Sequence, residues 1–224
     1  MLTGLIFAAA LTTVSTQEPS SDQTKAPPTA TQIESARAEA QAIIDRSEAA
    51  EFFENVTTTD TPQARHKPSG MVCSFMMGDP RNAVNLYPTR EDGPRRGDDA
   101  SCGAWWGSTY VTNFATRYPQ RYTQEQLFGS AVRDVRENWQ NVVPVEGSVR
   151  TANIEGQEPP LVGVFKAERN GQPRTTVVVL RNIGDWSFKV RATGEANDPD
   201  VSVTATFAFG AAIPGGWEII SSGR

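Results

Sequence analysis

Apolar residues return at helical spacing in two stretches of the chain. The first stretch follows the capping-box sequence Thr31-Gln-Ile-Glu34 and predicts a helix that ends near Phe53. Its apolar stripe is thin and rich in Ala, which is typical of a helix lying on a core's margin. The second stretch follows the capping box Thr123-Gln-Glu-Gln126 and predicts a strongly amphipathic helix that ends before Pro144. Its stripe includes Trp139, which we therefore expect in the core.

Elsewhere apolar and polar residues alternate, which is typical of strands with one buried face. The predicted strands are Met71–Phe75, Val84–Tyr87 as its return strand, Ala104–Arg117, Ser148–Asn153, Leu161–Arg169, Arg174–Asn182 and Trp186–Thr193. The stretch Pro88–Ser101 has the composition of a loop. Asn170-Gly171 and Gly184-Asp185 predict tight turns between the last three strands. These strands then form an antiparallel meander, so we expect an α+β fold in which helices cover the sheet.

The stretch from Val201 to Ile213 carries two conflicting signals. Asn197-Asp-Pro-Asp200 is typical of a helix start, with Pro at the first helical position. The apolar residues that follow alternate as they would in a strand. Both interpretations stay open at the level of the sequence.

The order of elements resembles a known domain. A strand, a capped helix and a meander that ends in GDWSFKVRAT resemble the PsbP-like α/β/α domain over Ala104 to Ile213. The segments HKPSGMVCSF and RGDDASC resemble uncharacterised secreted two-cysteine proteins of Gram-negative bacteria. The first resemblance implies an α/β/α sandwich and an accessory or binding role rather than catalysis.

Length and composition predict one exported domain. The chain has 224 residues, 38% of them hydrophobic, which suits a single domain with less ordered ends. Residues 1–16 begin with a short apolar run followed by small residues and predict a signal peptide. Residues 17–31 are polar and rich in Pro, and we expect a flexible linker before the domain at residues 32–220. The predicted location is therefore periplasmic or secreted, with no stable membrane span in the mature chain.

Charge and residue counts argue against several classes of chemistry. A net charge of −5 does not favour nucleic-acid binding, which usually needs a basic surface. With one histidine and two cysteines, the chain lacks the usual ligands for zinc, haem or iron–sulfur clusters. Phosphate-loop and dinucleotide motifs are also missing from the sequence. We therefore expect no cofactor.

Both cysteines bracket a polar segment rich in Gly, Pro and charge. Cys73 and Cys102 lie far apart in the chain, unlike most redox pairs, so we expect a disulfide that fastens the long loop to a strand pair. Acidic residues in the loop are nearly matched by arginines, which favours a solvated, salt-bridged loop over a Ca²⁺ site.

The loop and the strand after it also carry the candidate partner-binding residues. These are Arg96, Asp98, Trp105 and Trp106. On a strand the two adjacent tryptophans face opposite sides, so one of them points away from the core. An outward Trp can stack on a sugar ring or on a partner's apolar side chain.

Two functions remain compatible with these residues. The first is an exported non-enzymatic envelope protein, a binding or accessory module for an envelope protein or a glycan. The alternative is a small exported hydrolase using His66 and nearby carboxylates, although no nucleophile motif accompanies this histidine. Without a catalytic role, we expect His66 to be exposed or at the edge of a sheet.

Overall fold

Three helices flank and separate two runs of strands in the part of the chain that the structure, a computed structural model, describes. This part comprises residues 26–89, 91–146, 149, 151 and 158–216. The helices are α1 (Ala30–Arg46), α2 (Gln124–Asn138) and α3 (Asp200–Ala212). The strands are β1 (Phe53–Asn55), β2 (Gln63–His66), β3 (Val72–Ser74), β4 (Ala83–Leu86), β5 (Asp99–Trp106), β6 (Thr109–Thr116), β7 (Gln140–Pro144), β8 (Leu161–Arg169), β9 (Gln172–Ile183) and β10 (Trp186–Glu195).

A seven-stranded sheet forms the centre of the fold, in the order β4-β5-β6-β10-β9-β8-β7. Every neighbouring pair is antiparallel, and the predicted meander β8–β9–β10 is confirmed. Its first turn places Asn170 at φ 53° and Gly171 at φ 70°. This is the left-handed backbone that two-residue hairpin turns require. The α+β fold class is therefore confirmed.

A small sheet, β1-β2-β3, packs against the large one. The predicted disulfide is confirmed: Cys73 on β3 is bonded to Cys102 on β5. The expected attachment of a loop to a strand pair is wrong, because the bond joins the two sheets. Likewise β4, the expected return strand of β3, pairs with β5 instead. The partner of β3 is β2, which the sequence did not predict.

The two faces of the large sheet carry separate cores. We call the face towards α1, α3 and the small sheet the closed face. Its buried residues include Val111, Val177, Val179, Val190 and Ala192. On the opposite side α2 packs through Leu127, Ala131 and Val135 against Phe165, Val178 and Leu180. Helices thus lie on both sides of one sheet.

The first helix is displaced from its prediction at both ends. Its N-cap is Thr29, whose capping box uses Gln32; the Pro pair directly before it disfavours a helix further upstream. At the other end, the Glu48 amide donates to the Asp45 carbonyl and the Ala49 amide donates to the Ile44 carbonyl. With Glu48 at φ 48°, this is a Schellman ending without glycine. The chain then turns into β1 where the helix was expected to continue.

The predicted long strand Ala104–Arg117 is a hairpin of β5 and β6. Trp106 pairs with Thr109 across the two-residue turn Gly107-Ser108, and Gly107 has φ 60°. Because β5 begins at Asp99, the predicted loop is also shorter at its C-terminal end.

The ambiguous C-terminal stretch forms helix α3. Its N-cap is Pro199 rather than a residue with a capping side chain, although Asp198 Oδ1 accepts from the Asp200 amide. The helical conformation is favoured over a strand because the small residues of α3 allow close packing on β10. A Cβ at Gly194 would clash with Val201, which shows how near α3 lies.

The segment after α2 also differs from its prediction. Trp139 caps the helix and is half-buried, and the chain continues as the edge strand β7 instead of remaining helical to Pro144. Most of the predicted strand Ser148–Asn153 lies outside the described residues, as do the predicted signal peptide and the linker up to residue 25. None of the described helices is long and apolar enough to cross a membrane.

Candidate ligand-binding face

On the side where α2 lies, part of the large sheet has no described helix above it. This helix packs over β7, β8 and β9 and leaves β5, β6 and β10 largely uncovered. The half-buried side chains there are Trp105, Tyr110, Thr112, Phe114, Lys189, Arg191 and Thr193, which we call the open face. By contrast, Val190 and Ala192 on the closed face are 1% and 0% exposed.

Strand register places the two cations of the open face at its centre. Lys189 lies opposite Phe114 and Arg191 lies opposite Thr112, on strands that both have a neighbour on each side. Side chains two residues apart on one strand project from the same face, about 7 Å from one another. Two positive charges therefore sit side by side on the sheet rather than at its rim.

Neither cation has a matching anion in contact. Among the described residues no salt bridge or side-chain hydrogen bond is formed by Lys189 or Arg191, and Arg191 Nε is buried without a partner. The Lys189 ammonium lies 4.4 Å from the centre of the Phe114 ring, a cation–π contact. Asp134 on α2 attracts both cations from beyond salt-bridge distance, and Asp99 also attracts Lys189.

The surroundings act on the charges of both groups. Burial lowers the pKa of Lys189, and the neighbouring Arg191 charge lowers it further. Burial also lowers the pKa of Arg191, with Asp134 acting in the opposite direction. A guanidinium keeps its proton at any physiological pH. Partly desolvated charges of this kind are costly in the free protein, and an anion placed between them would offset that cost.

Aromatic rings stand next to the cations. The rings of Trp105 and Tyr110 are 5.5 Å apart. Tyr110 lies across Gly103, where any Cβ would clash with its hydroxyl, so the absent side chain makes room for the ring. The Arg81 guanidinium stacks over the Trp105 ring, 4.5 Å from its centre, and holds the ring in place. The result is a preformed aromatic wall.

A cavity of about 730 Å³ lies over this part of the sheet. The end of α2 with Trp139 borders it on one side, and the hairpin carrying Arg169 and Arg174 borders it on another. Arg169 lies 5.4 Å from the centre of the Trp139 ring. Glu195 is the carboxylate among the lining residues. Cations therefore outnumber anions in the lining of the cavity.

The candidate partner-binding residues do not come together. Trp105 lies on the open face, whereas Trp106 points to the closed face and its ring meets Phe207 of α3 at 5.8 Å. The expectation that the two tryptophans face opposite sides is thus confirmed. Asp98 and Arg96 are elsewhere, next to β1 and β6. A partner-binding role for these four residues stays a prediction, and a single surface including all of them is not formed.

The loop around Asp98 and Arg96 is held down against the rest of the fold. Asp98 forms a salt bridge of 2.6 Å with Arg117, and Arg96 lies 5.5 Å from the centre of the Phe52 ring. Between them Gly97 has φ 84°, and a Cβ there would clash with Phe52. In the described part of the bracketed segment, the salt bridge Arg81–Asp79 is internal as expected, whereas those of Asp98 and Arg96 reach residues outside the segment. Across the described residues, no group of His, Cys, Asp and Glu side chains is placed to hold a metal.

The expectation that His66 is exposed or at an edge is wrong, because His66 is 0% exposed and its strand β2 lies between β1 and β3. The ring lies between Phe53 and Trp186, with centroids 5.0 and 5.6 Å away. Nδ1 is 2.8 Å from the Ser69 hydroxyl, which also accepts from the Met71 amide. These contacts close the turn between β2 and β3.

Burial also determines the charge of His66. Desolvation lowers its pKa to about 4, against the smaller opposing effects of the Gly97 backbone and Asp98. Nε2 has no described hydrogen-bond partner of good geometry. A neutral imidazole with no access to solvent does not favour the hydrolase alternative, since a general base must reach its substrate.

Comparison with known proteins adds little to this description. No protein-family model and no curated protein matches the chain. Among solved structures it is similar to LpqN, involved in cell envelope biogenesis of Mycobacterium tuberculosis, at 14% identity, with 61% of this chain and 83% of that chain covered and a TM-score of 0.32. It is also similar to PA94 from Pseudomonas aeruginosa, a putative regulator of unknown function, at 9% identity, 69% and 96% coverage and a TM-score of 0.39.

Similarities this low carry no argument about function. The resemblance to the PsbP-like domain stays a prediction.

Sequence reasoning missed the two central cations. Lys189 and Arg191 occupy alternate positions of a strand whose other positions are apolar, which is also the pattern of an ordinary solvent-facing side. Both residues lie in the last predicted strand of the meander, directly before the predicted start of a helix. This strand becomes central because it pairs with β6 of the hairpin β5–β6, and that pairing is seen only in the structure.

Proposed function

We propose that this protein is an exported, non-enzymatic binding module of the cell envelope whose open face takes an anionic ligand. The observation that carries the proposal is the pair Lys189 and Arg191, adjacent on the central strand and without a salt bridge to any described residue. Sheets usually pair or solvate such charges fully. An anionic ligand supplies the missing partner, and the cavity lined by Arg191, beside Lys189, gives it room.

Export rests on two independent features. The disulfide Cys73–Cys102 favours an oxidising, non-cytoplasmic compartment. The N-terminal sequence has the apolar run and small residues of a signal peptide. A periplasmic or secreted location fits both features, and the proposal places the protein in the cell envelope.

Photo-crosslinking tests the open face directly. The photoreactive residue p-benzoylphenylalanine would replace Thr112, at the centre of the open face, or Lys166, an exposed residue of β8 on the opposite side of the sheet. Both variants would be irradiated with envelope extract of the source cells. We expect adducts from position 112 that diminish in 0.5 M salt, which screens charge attraction. Equal adduct yields at both positions would contradict the proposal.

The same material tests whether the protein acts on its ligand. Ligand that binds the protein non-covalently from the same extract should have the same mass before and after incubation with the purified protein. Conversion into smaller fragments by the purified protein would favour the hydrolase alternative instead.

A further inference from the structure

We infer that the ligand of the open face is an acidic oligosaccharide whose sugars carry single carboxylates, that is, a chain of uronic acids. This inference rests on the proposed function and specifies the chemistry of its ligand. Three properties of the site support it: the aromatic wall, the neutral polar groups around the cavity and the balance of charge.

The aromatic wall matches the apolar side of a sugar ring. Trp105 and Tyr110 stand within the open face, and Trp139 stands across the cavity. Large rings with few rotatable bonds provide flat contact area at a low entropic cost. A simple inorganic anion would use the cations and leave these rings without a contact. A sugar bearing an acid group uses both.

Neutral hydrogen-bonding groups line the same cavity. They are Ser108, Thr112, Asn138, Asn170, Gln172 and Thr193. Hydroxyl and amide side chains both donate and accept, as sugar hydroxyl groups do. Such a set is poorly matched to an apolar ligand and well matched to a polyhydroxylated one.

The sheet disfavours an acidic peptide. Extended peptides commonly add to a sheet edge and use its unpaired backbone groups. Here the floor consists of β6 and β10, and both strands are paired on both sides. A peptide lying on this face would find no backbone partners, so its own amide groups would be poorly satisfied.

The charge balance favours a single negative charge per group. The two central cations face Asp134 on α2, Asp99 also acts on Lys189, and Glu195 lies at the cavity border. Arg169 and Arg174 lie on the hairpin, apart from the central pair, so the cations are spread out as carboxylates along a chain would be rather than gathered around one dianion. Arginine and lysine can bind one carboxylate oxygen each, and arginine can bind both.

Calorimetric titration with defined probes tests the inference. The probes are a hexamer of galacturonic acid, the neutral hexamer of galactose and hexaglutamate peptide. We expect the acidic hexamer to bind, and to bind at least about 10-fold more weakly to the Lys189→Gln/Arg191→Gln variant, since each lost charged contact is strong. The control variant Arg65→Gln/Lys166→Gln makes the same change in net charge on exposed sites and should bind normally. Thermal melting shows whether each variant is folded.

A second variant leaves the charges intact. Trp105→Ala should weaken binding of the acidic hexamer several-fold while leaving the weak binding of hexaglutamate unchanged. Equal affinity for hexaglutamate and the acidic hexamer would overturn the inference, as would equal affinity for the neutral hexamer. Failure of the acidic hexamer to bind, with crosslinking at position 112 retained, would overturn the inference and leave the proposed function in place. Loss of crosslinking as well would overturn both.

Discussion

The two faces of the large sheet differ in how accessible their polar groups are. Strand β10 contributes to both: Val190 and Ala192 enter the closed core, while Lys189 and Arg191 stand on the open face. On the closed side, two helices, the small sheet and the disulfide exclude water from the residues beneath them. On the open side, α2 covers β7 to β9 and leaves the cations half-buried.

This difference separates stability from binding. On the closed face, His66 is held uncharged and Arg181 is 1% exposed, so neither side chain is accessible to a ligand. On the open face, Lys189 and Arg191 are only half-buried, and Arg191 lines the cavity over the sheet. A perturbed pKa alone therefore does not identify a functional group here; access to a ligand does. Changes to the closed face should cost stability, and changes to the open face should cost affinity.

Loss of the disulfide should have the largest effect on the closed face. The bond joins positions 29 residues apart, and loop-closure entropy for this length corresponds to about 3.5 kcal/mol. The variant Cys73→Ala/Cys102→Ala should lose about that much unfolding free energy in urea titration. Reduced wild-type protein serves as the control and should behave similarly. Equal stability of the variant and oxidised wild type would contradict the role of the bond.

Acid should destabilise the closed face through His66. Its folded pKa of about 4 is below the usual 6.5, so the unfolded chain binds more protons between these two pH values. Its contribution is fully present above pH 6.5 and is lost as the pH falls towards 4, by up to about 3 kcal/mol. Unfolding free energy measured from pH 7 to pH 4 checks this.

The variant His66→Phe supplies the control for the acid effect. It keeps a ring between Phe53 and Trp186 but removes the titration, so its stability should vary less over the same pH range. Asp79 does not interfere, because Arg81 lowers its pKa to about 2. An unchanged pH dependence in the variant would exclude His66 as the cause.

The contact of Gly97 with Phe52 should have a somewhat smaller effect. The change Gly97→Ala adds a methyl group that clashes with the ring and places Ala at φ 84°. We expect a loss of about 2 to 3 kcal/mol, the sum of backbone strain and overpacking. Gly78→Ala is the matched control, since Gly78 has φ 72° and nothing within 4 Å of the added Cβ. Equal losses for the two variants would show that the Phe52 contact contributes nothing.

The sequence predicted those elements whose local signals agree with one another. The meander was predicted well because alternation and turn residues coincide, and β8 has the predicted bounds. The end of α1 was not predicted correctly, because Glu48 adopts a left-handed conformation in which glycine is usually found. The hairpin of β5 and β6 was missed because strand-forming residues continue on both sides of Gly107-Ser108.

The candidate site was predictable only in part. Trp105 was identified from its neighbour Trp106, because alternation places one of them away from the core. Its companions on the open face come from β6 and β10, and the register that aligns them depends on long-range pairing. For His66 the polar neighbours Arg65 and Lys67 indicated exposure, yet a short strand buries alternate residues whatever their neighbours are.

Removal of a charge from the open face should have the smallest effect on stability and the opposite sign. Lys189→Met keeps the length of the side chain and removes a cation whose pKa burial lowers. The folded state then no longer has to desolvate the charge, so we expect a gain of about 0.5 kcal/mol. The same variant should bind the acidic hexamer several-fold more weakly. Lys166→Met, on the other side of the sheet, should change neither quantity. A loss of stability like that of the closed-face variants would mean that Lys189 belongs to the core, and the contrast between the two faces would fail.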